Sequence, residues 1–109
     1  MDIYTIDLET YYDRQYSLSK MTTEAYIRDP QFEVIGASIK KNDGKAIWVD
    51  QPQVEAVLKH LKPALEKAAI LAHNTLFDGA ILSWHYGIKP KLWLDTLSMA
   101  RPYHAAQVG

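Results

Sequence analysis

The sequence has 109 residues, a formal net charge of −1, 48% hydrophobic and 23% charged residues, and no cysteine. This composition indicates one globular domain and excludes disulfide bridges, thiolate zinc sites and thiol nucleophiles. It also lacks the basic field that supports non-specific nucleic-acid binding. The apolar runs are too short to span a bilayer and the first residues do not form a signal peptide. We therefore expect a cytoplasmic protein without a membrane partner.

The first half of the chain predicts three strands and one short helix. Residues 2–9 alternate in polarity as a strand does. A helix is expected over 23–28, ended by Pro30, because the residue before a proline avoids the helical region. The runs 32–40 and 45–49 are rich in strand-forming residues, and the Asp-Gly pair between them is typical of a hairpin. These strands are expected to form a three-strand antiparallel meander.

In the second half of the chain, apolar residues recur at the spacing of a helix. One helix is predicted from Gln51, and a second helical segment is predicted to begin at Pro63, where a helix start tolerates proline. Residues 69–74 follow as a short buried strand, then a helix that ends at Gly87. Residues 91–97 predict a fifth strand that passes into a helix. The predicted apolar stripe before Gly87 comprises Leu76, Phe77, Ala80, Ile81 and Trp84. A meander followed by αβαβ is an α/β fold with a mixed sheet.

Two carboxylates lie on one face of the first predicted strand. Asp7 and Glu9 are two residues apart, so their side chains point to the same side, opposite to that of Ile6 and Leu8. Like charges at this spacing resist burial unless a cation or solvent lies between them. The pattern leaves two interpretations open, a solvated strand end or a cation site.

A second polar group follows the fourth predicted strand, where open α/β sheets usually present ligand sites. Thr75 and Asp78 have the spacing of a capping box, so Asp78 either satisfies the first helical turn or binds a ligand. Asn74 is a candidate helix cap. We expect Asp95 to cap the helix after the fifth strand rather than bind a metal, and His73 to lie in the core or next to the site.

Two segments carry a resemblance to a known family. The sequences DLET, at 7–10, and NTLFD, at 74–78, resemble the first two motifs of the DnaQ-like, or DEDD, 3′-5′ exonucleases. The surrounding residues 7–39 and 71–101 are similar to the N-terminal proofreading domain of phage-type family A DNA polymerases. The resemblance extends over nearly the whole chain. It implies a ribonuclease H-like fold and a partial 3′-5′ exonuclease domain over 1–109.

The resemblance also implies a metal-dependent proofreading activity. Asp7, Glu9 and Asp78 would be the catalytic and metal-binding residues of a site for two Mg²⁺ or Mn²⁺ ions, which suit carboxylate ligands. The substrate would be the 3′ end of single-stranded DNA, beside a polymerase module in the full-length parent. The family positions that bind this end correspond to Thr10, Asn74 and Phe77. The residues themselves favour core packing for Phe77, because it lies on the predicted apolar stripe.

The sequence departs from the family pattern at the third motif. That motif is Tyr-x3-Asp or His-x4-Asp, and no independent copy of it occurs, because His73 reaches only Asp78 of the second motif. We therefore expect a domain truncated at its C-terminal end, with weak metal binding, little catalysis and possible self-association through uncovered apolar surface. Two alternatives remain, a non-catalytic α/β fragment or interaction module and an RNA-directed exonuclease relative.

Overall fold

A computed structural model describes residues 1–95 of the chain, and these form a five-stranded sheet with helical segments. The strands are β1 (Ile3–Thr10), β2 (Val34–Lys41), β3 (Ile47–Asp50), β4 (Ala69–Ala72) and β5 (Leu92–Asp95). The helical segments are α1 (Thr23–Arg28), α2 (Gln51–Leu65), the first π turn (Thr75–Gly79) and the second π turn (Ile81–His85).

The sheet has the order β3-β2-β1-β4-β5. The first three strands pair antiparallel, whereas β4 runs parallel to β1 and β5 runs parallel to β4. This arrangement confirms the predicted α/β fold, with its antiparallel meander followed by helix, strand, helix and strand. The helix predicted after Asp95 lies outside the described residues.

The alternation of β1 positions the core. Tyr4, Ile6 and Leu8 are buried, whereas Asp7 and Glu9 are exposed on the opposite face of the strand. The helix α2 packs against β2 and β3 and buries Val54, Leu58 and Leu65. Full burial of each such aliphatic side chain contributes about 1.5–3 kcal/mol, so this apolar face fixes which side of β1 the acids occupy.

The predicted break at Pro63 is wrong, because α2 continues through it to Leu65. The proline removes one backbone donor from the helix, but it does so in the last turn, near the end of the hydrogen-bonded ladder. The fully buried Leu65 anchors that turn in the core. Packing therefore outweighs the local preference of proline for a helix start.

The apolar stripe predicted before Gly87 is wrong at both ends. Leu76 is 82% exposed and Trp84 is 50% exposed, while Asp78 and Leu82 are buried. The two π-type turns cause the difference, since a wider helix rotates fewer degrees per residue than the α-helix assumed in the stripe. A change in winding moves other residues onto the inner face.

The connection between β2 and β3 is a tight turn. The N–H of Gly44 donates to the carbonyl of Lys41 at 2.9 Å, which closes the turn. The residue in the left-handed region is Asn42, with φ of 52°, and not the glycine of the predicted Asp-Gly pair. Asparagine tolerates that conformation, and here Asn42 also exchanges hydrogen bonds with the backbone of Ile3. Among residues 1–95 no helix is both long and apolar enough to cross a membrane.

Candidate active site

Asp78 is a buried carboxylate on the first π turn, with 3% of its surface exposed. Burial, and then the negative charge of Asp7, raise the pKa of Asp78 to about 6. The backbone N–H groups of Leu8 and Asn74 donate to this carboxylate and, together with the charge of His73, oppose the rise. The fold therefore holds an acid against β1 in a position that disfavours its charge.

Asp7 and Asp78 lie within electrostatic reach of each other, because the charge of Asp7 acts directly on the pKa of Asp78. Glu9 is exposed, like Asp7, and lies next to an irregularity in the β1–β2 register between Glu9 and Thr10. Within the described part of the chain, no group of three or more His, Cys, Asp or Glu side chains could hold a metal ion. The structure thus associates two of the three sequence-predicted acids.

The donor chemistry of Asp7 and Asp78 fits a divalent cation. Carboxylate oxygens are the hard ligands that Mg²⁺ and Mn²⁺ accept. The raised pKa of Asp78 shows that its negative charge is poorly compensated by the surrounding protein. A cation between the two carboxylates would relieve both the burial cost and the repulsion.

A cavity of about 310 Å³ lies beside these acids, at the end of β1. Three sequence-predicted residues, Glu9, Thr10 and Phe77, contribute to its wall, so β1 and the first π turn bring them together. The remaining wall is largely apolar and aromatic. Its other members are Leu8, Tyr12, Ser17, Leu18 and Tyr26. Tyr12 is 73% exposed, so its ring lies at the rim of the cavity.

Thr10 is held by a tyrosine that sequence reasoning did not select. Its hydroxyl lies 2.9 Å from that of Tyr26, and the Tyr26 hydroxyl donates its proton to the carbonyl of Tyr11. Since Tyr26 has one proton to donate, Thr10 must be the donor in their shared bond. The Thr10 oxygen is then left as an acceptor, which suits a ligand hydroxyl better than a phosphate oxygen.

Tyr26 also anchors the segment between β1 and β2. Its ring stacks on Tyr16 at 4.5 Å between centroids and lies 5.9 Å from that of Phe77. Tyr16 is buried, so its ring contributes to the packing of this segment. Nothing in the sequence marks Ser17, Leu18 or Tyr26 as cavity residues, because this segment has no regular period and its contacts span many residues.

Two side chains, those of Asn74 and Asp95, cap the first π turn. Asn74 caps the turn as predicted, since its side-chain oxygen accepts the N–H of Leu76 at 3.1 Å, and it does not line the cavity. Thr75 donates its N–H and hydroxyl to Asp95, at 2.9 and 3.0 Å, so it does not pair with Asp78. Asp95 therefore caps the first π turn. The following helix that the sequence predicts it to cap lies outside the described residues.

His73 differs from its predicted place in the core. Its side chain is exposed at the end of β4. Its charge nevertheless lowers the pKa of Asp78, so the imidazole lies close to the acid pair. The alternative prediction, a residue next to the site, describes it correctly.

Comparison with known proteins identifies the architecture. No protein-family model and no curated protein matches the sequence. The structure is similar to the crystal structure of Trypanosoma brucei RNase D, with a TM-score of 0.54 and 17% sequence identity over 84% of this chain. The fold is ribonuclease H-like. This chain spans 30% of the length of that RNase D, and at such low identity the ribonuclease H-like fold is what the two proteins share.

Proposed function

We propose that residues 1–109 are part of a metal-dependent 3′-5′ exonuclease domain. The observation that carries the proposal is Asp78, a buried acid held against β1 by the amide of Leu8 and repelled by Asp7. A carboxylate in so unfavourable a position is typical of a functional site. As in the family that the sequence resembles, the substrate would be the 3′ end of single-stranded DNA, and a polymerase module would be the partner in a proofreading enzyme.

Each residue of the site has a separate role in this proposal. Asp7 and Asp78 would hold Mg²⁺ or Mn²⁺, with Glu9 as a further ligand on the same strand face. When bound, two such ions would activate the attacking water and stabilise the leaving 3′ oxygen. Thr10 would accept a hydrogen bond from the terminal 3′ hydroxyl, and Phe77 would pack beside the sugar in the cavity.

A metal titration tests the site. We expect saturable but weak binding of Mn²⁺, seen by calorimetry and by paramagnetic broadening of nearby NMR signals, and its loss in Asp7→Ala. Asp43→Ala is the matched control, because Asp43 is exposed in the β2–β3 connection. Equal binding by the wild type and Asp7→Ala would contradict the proposed site.

A single-turnover assay on single-stranded DNA with Mg²⁺ or Mn²⁺ tests catalysis separately. Without a third-motif acid in the sequence, we expect little or no release of nucleoside monophosphate. Robust release that is lost in Asp78→Asn would support the exonuclease assignment and refute the expected impairment.

Two other functions have specific observations in their favour. The structural neighbour is named as an RNase, which favours RNA as the substrate. The rates of hydrolysis of matched DNA and RNA oligomers would distinguish the two substrates.

A non-catalytic interaction module is favoured because residues 1–95 hold no group of three metal-binding side chains. It would be indicated if neither metal binding nor hydrolysis depended on Asp7. The cytoplasmic location and self-association expected from the sequence stay predictions.

A further inference from the structure

A second cavity of about 310 Å³ lies away from the acids, between α2 and the end of the second π turn. Its wall combines three residues of α2 with two that end the π turn. These are Glu55, Lys59, Lys62, His85 and Tyr86. Two lysines and a histidine therefore line one open cavity in a protein whose net charge is −1.

The two lysines of this cavity are available to a ligand. Lys59 and Lys62 lie three residues apart, on the same side of α2. Neither cavity lysine takes part in an ion pair with another residue of 1–95. Both ammonium groups can therefore pair with an external anion.

The one acid that lines the cavity is Glu55. Glu55 lies four residues before Lys59 on α2, yet it forms no ion pair with it within the described part of the chain. Its charge acts instead on Tyr86, whose pKa is raised first by burial and then by Glu55. The Glu55 carboxylate thus lies within electrostatic reach of the tyrosine and forms no ion pair with either lysine within residues 1–95.

The far wall of the cavity is fixed in place by ring contacts. His85 packs edge-on against Phe32 at 5.3 Å and against Tyr86 at 4.8 Å between ring centroids. The next residue, Gly87, has φ of +67° and lies against Lys62, since a Cβ there would be 3.8 Å from the Lys62 Nζ. The basic groups therefore face a preformed surface, which lowers the ordering cost of binding.

A row of aromatic rings joins this cavity to the one beside the acids. Tyr26 lines the first cavity and His85 lines the second, and Phe32 lies between them, 5.9 Å from Tyr26 and 5.3 Å from His85. With a rise of about 3.4 Å per nucleotide, a strand ending in the first cavity would place a phosphate near the second within a few nucleotides.

We propose that Lys59, Lys62 and His85 form a phosphate-binding pocket that anchors a nucleic-acid strand upstream of its 3′ end. The inference rests on the proposed function, because it takes a nucleic-acid strand as the ligand. Lysine supplies a point charge suited to phosphate. A protein without a basic field needs such a local contact to retain a polyanion.

The experiment compares two double variants with the same change in net charge. Lys59→Gln/Lys62→Gln removes the pocket ammonium groups. Lys45→Gln/Lys91→Gln removes two exposed lysines that line neither cavity. Binding of a short fluorescein-labelled oligothymidylate is followed by anisotropy over a range of salt concentrations, in EDTA, so that the acid site makes no metal-dependent contribution.

We expect the pocket variant to bind roughly fivefold more weakly than the wild type. The slope of log K against log salt concentration should become smaller in magnitude by about 1.4, because two contacts to a single strand are lost. The control variant should retain the wild-type slope. Equal weakening in both variants, or no oligonucleotide binding by the wild type, would overturn the pocket. Neither result bears on Mn²⁺ binding at Asp7, so the proposed function is tested independently.

A conservative variant separates charge from folding. Lys59→Arg/Lys62→Arg keeps both positive charges and should bind within about twofold of the wild type. Urea denaturation of all variants shows whether they remain folded. If the glutamine variant unfolds, the arginine variant still tests the proposal. Binding by the folded arginine variant that is roughly fivefold weaker than that of the wild type would argue against phosphate recognition.

Discussion

At the scale of single residues, burial of the Asp78 carboxylate makes its charged form destabilising. Its pKa of about 6 exceeds the ordinary value of 3.8, so the folded state favours the protonated form. The protonated form of Asp78 therefore adds to the free energy of unfolding. This stabilisation is fully present below pH 3.8 and is lost as the pH rises through about 6. A shift of this size corresponds to at most about 3 kcal/mol.

Asp78→Asn is therefore expected to increase the free energy of unfolding at neutral pH in the absence of metal. Asparagine is uncharged, and its oxygen can still accept from the amides of Leu8 and Asn74. The gain over the wild type should grow as the pH rises from 3.8 to about 6. Urea denaturation across this range provides the measurement, with Asp43→Asn as the exposed control. A difference that does not vary with pH would contradict the assigned cause.

Asp95 provides a second prediction at this scale. Its carboxylate accepts both the N–H and the hydroxyl of Thr75, which is the work of a helix cap. We expect Asp95→Ala to lower the free energy of unfolding by about 1–2 kcal/mol, measured by urea denaturation. Asp95→Asn retains an acceptor oxygen and should lose less. An equal loss in both variants would show that charge, rather than capping, makes the larger contribution.

At the scale of elements, the contact between β2 and β3 depends on a glycine. A Cβ placed on Gly36 would lie 2.1 Å from the ring of Trp48, so the indole rests directly on the backbone of β2. The ring remains 54% exposed and donates from Nε1 to Asp50 at 2.7 Å. Trp48 and Asp7 both lie opposite Ser38 in the sheet register, so they share a face.

Gly36→Ala is expected to lower the free energy of unfolding by about 1–3 kcal/mol, because the indole must leave its place on the strand. The same substitution in a Trp48→Ala background should cost little, since the obstructing ring is absent. A double-mutant cycle by urea denaturation measures this coupling. Additive effects would show that the ring moves aside without cost.

The elements differ in how far they could be predicted from the sequence. The β1 assignment succeeded because the alternation of apolar and acidic residues is a local pattern that the sheet preserves. The π turns were not foreseen, since the winding of that segment depends on capping by Asn74 and Asp95 and on burial of Asp78. The continuation of α2 past Pro63 was missed for a related reason, because burial of Leu65 outweighed the local preference.

At the scale of the whole molecule, the two faces of the sheet are unequal. The face with Ile6 and Leu8 is covered by helical segments. The face with Asp7 leaves apolar side chains partly exposed within the described residues. These are Ile3, Trp48 and Leu92. Asp7 and Glu9 thus lie on the open face of a ribonuclease H-like sheet.

Metal binding to this face should stabilise the whole domain by linkage. At a free Mn²⁺ concentration tenfold above the Kd, the free energy of unfolding should rise by about 1.4 kcal/mol, seen as a higher Tm. Asp7→Ala should abolish the rise and Asp43→Ala should retain it. An identical increase in all three proteins would indicate binding elsewhere.

The sequence by itself determined the positions of the five strands along the chain, the side of β1 that carries Asp7 and Glu9, and the cap at Asn74, because these follow from periodicity and local hydrogen bonding. Only the tertiary structure decided that Asp78 is buried beside Asp7, that Tyr26 holds Thr10, that Asp95 caps an earlier segment, and that Lys59 and Lys62 share a cavity with His85. Each of these contacts joins residues from different elements, and their proximity depends on how the sheet and helices pack rather than on spacing along the chain.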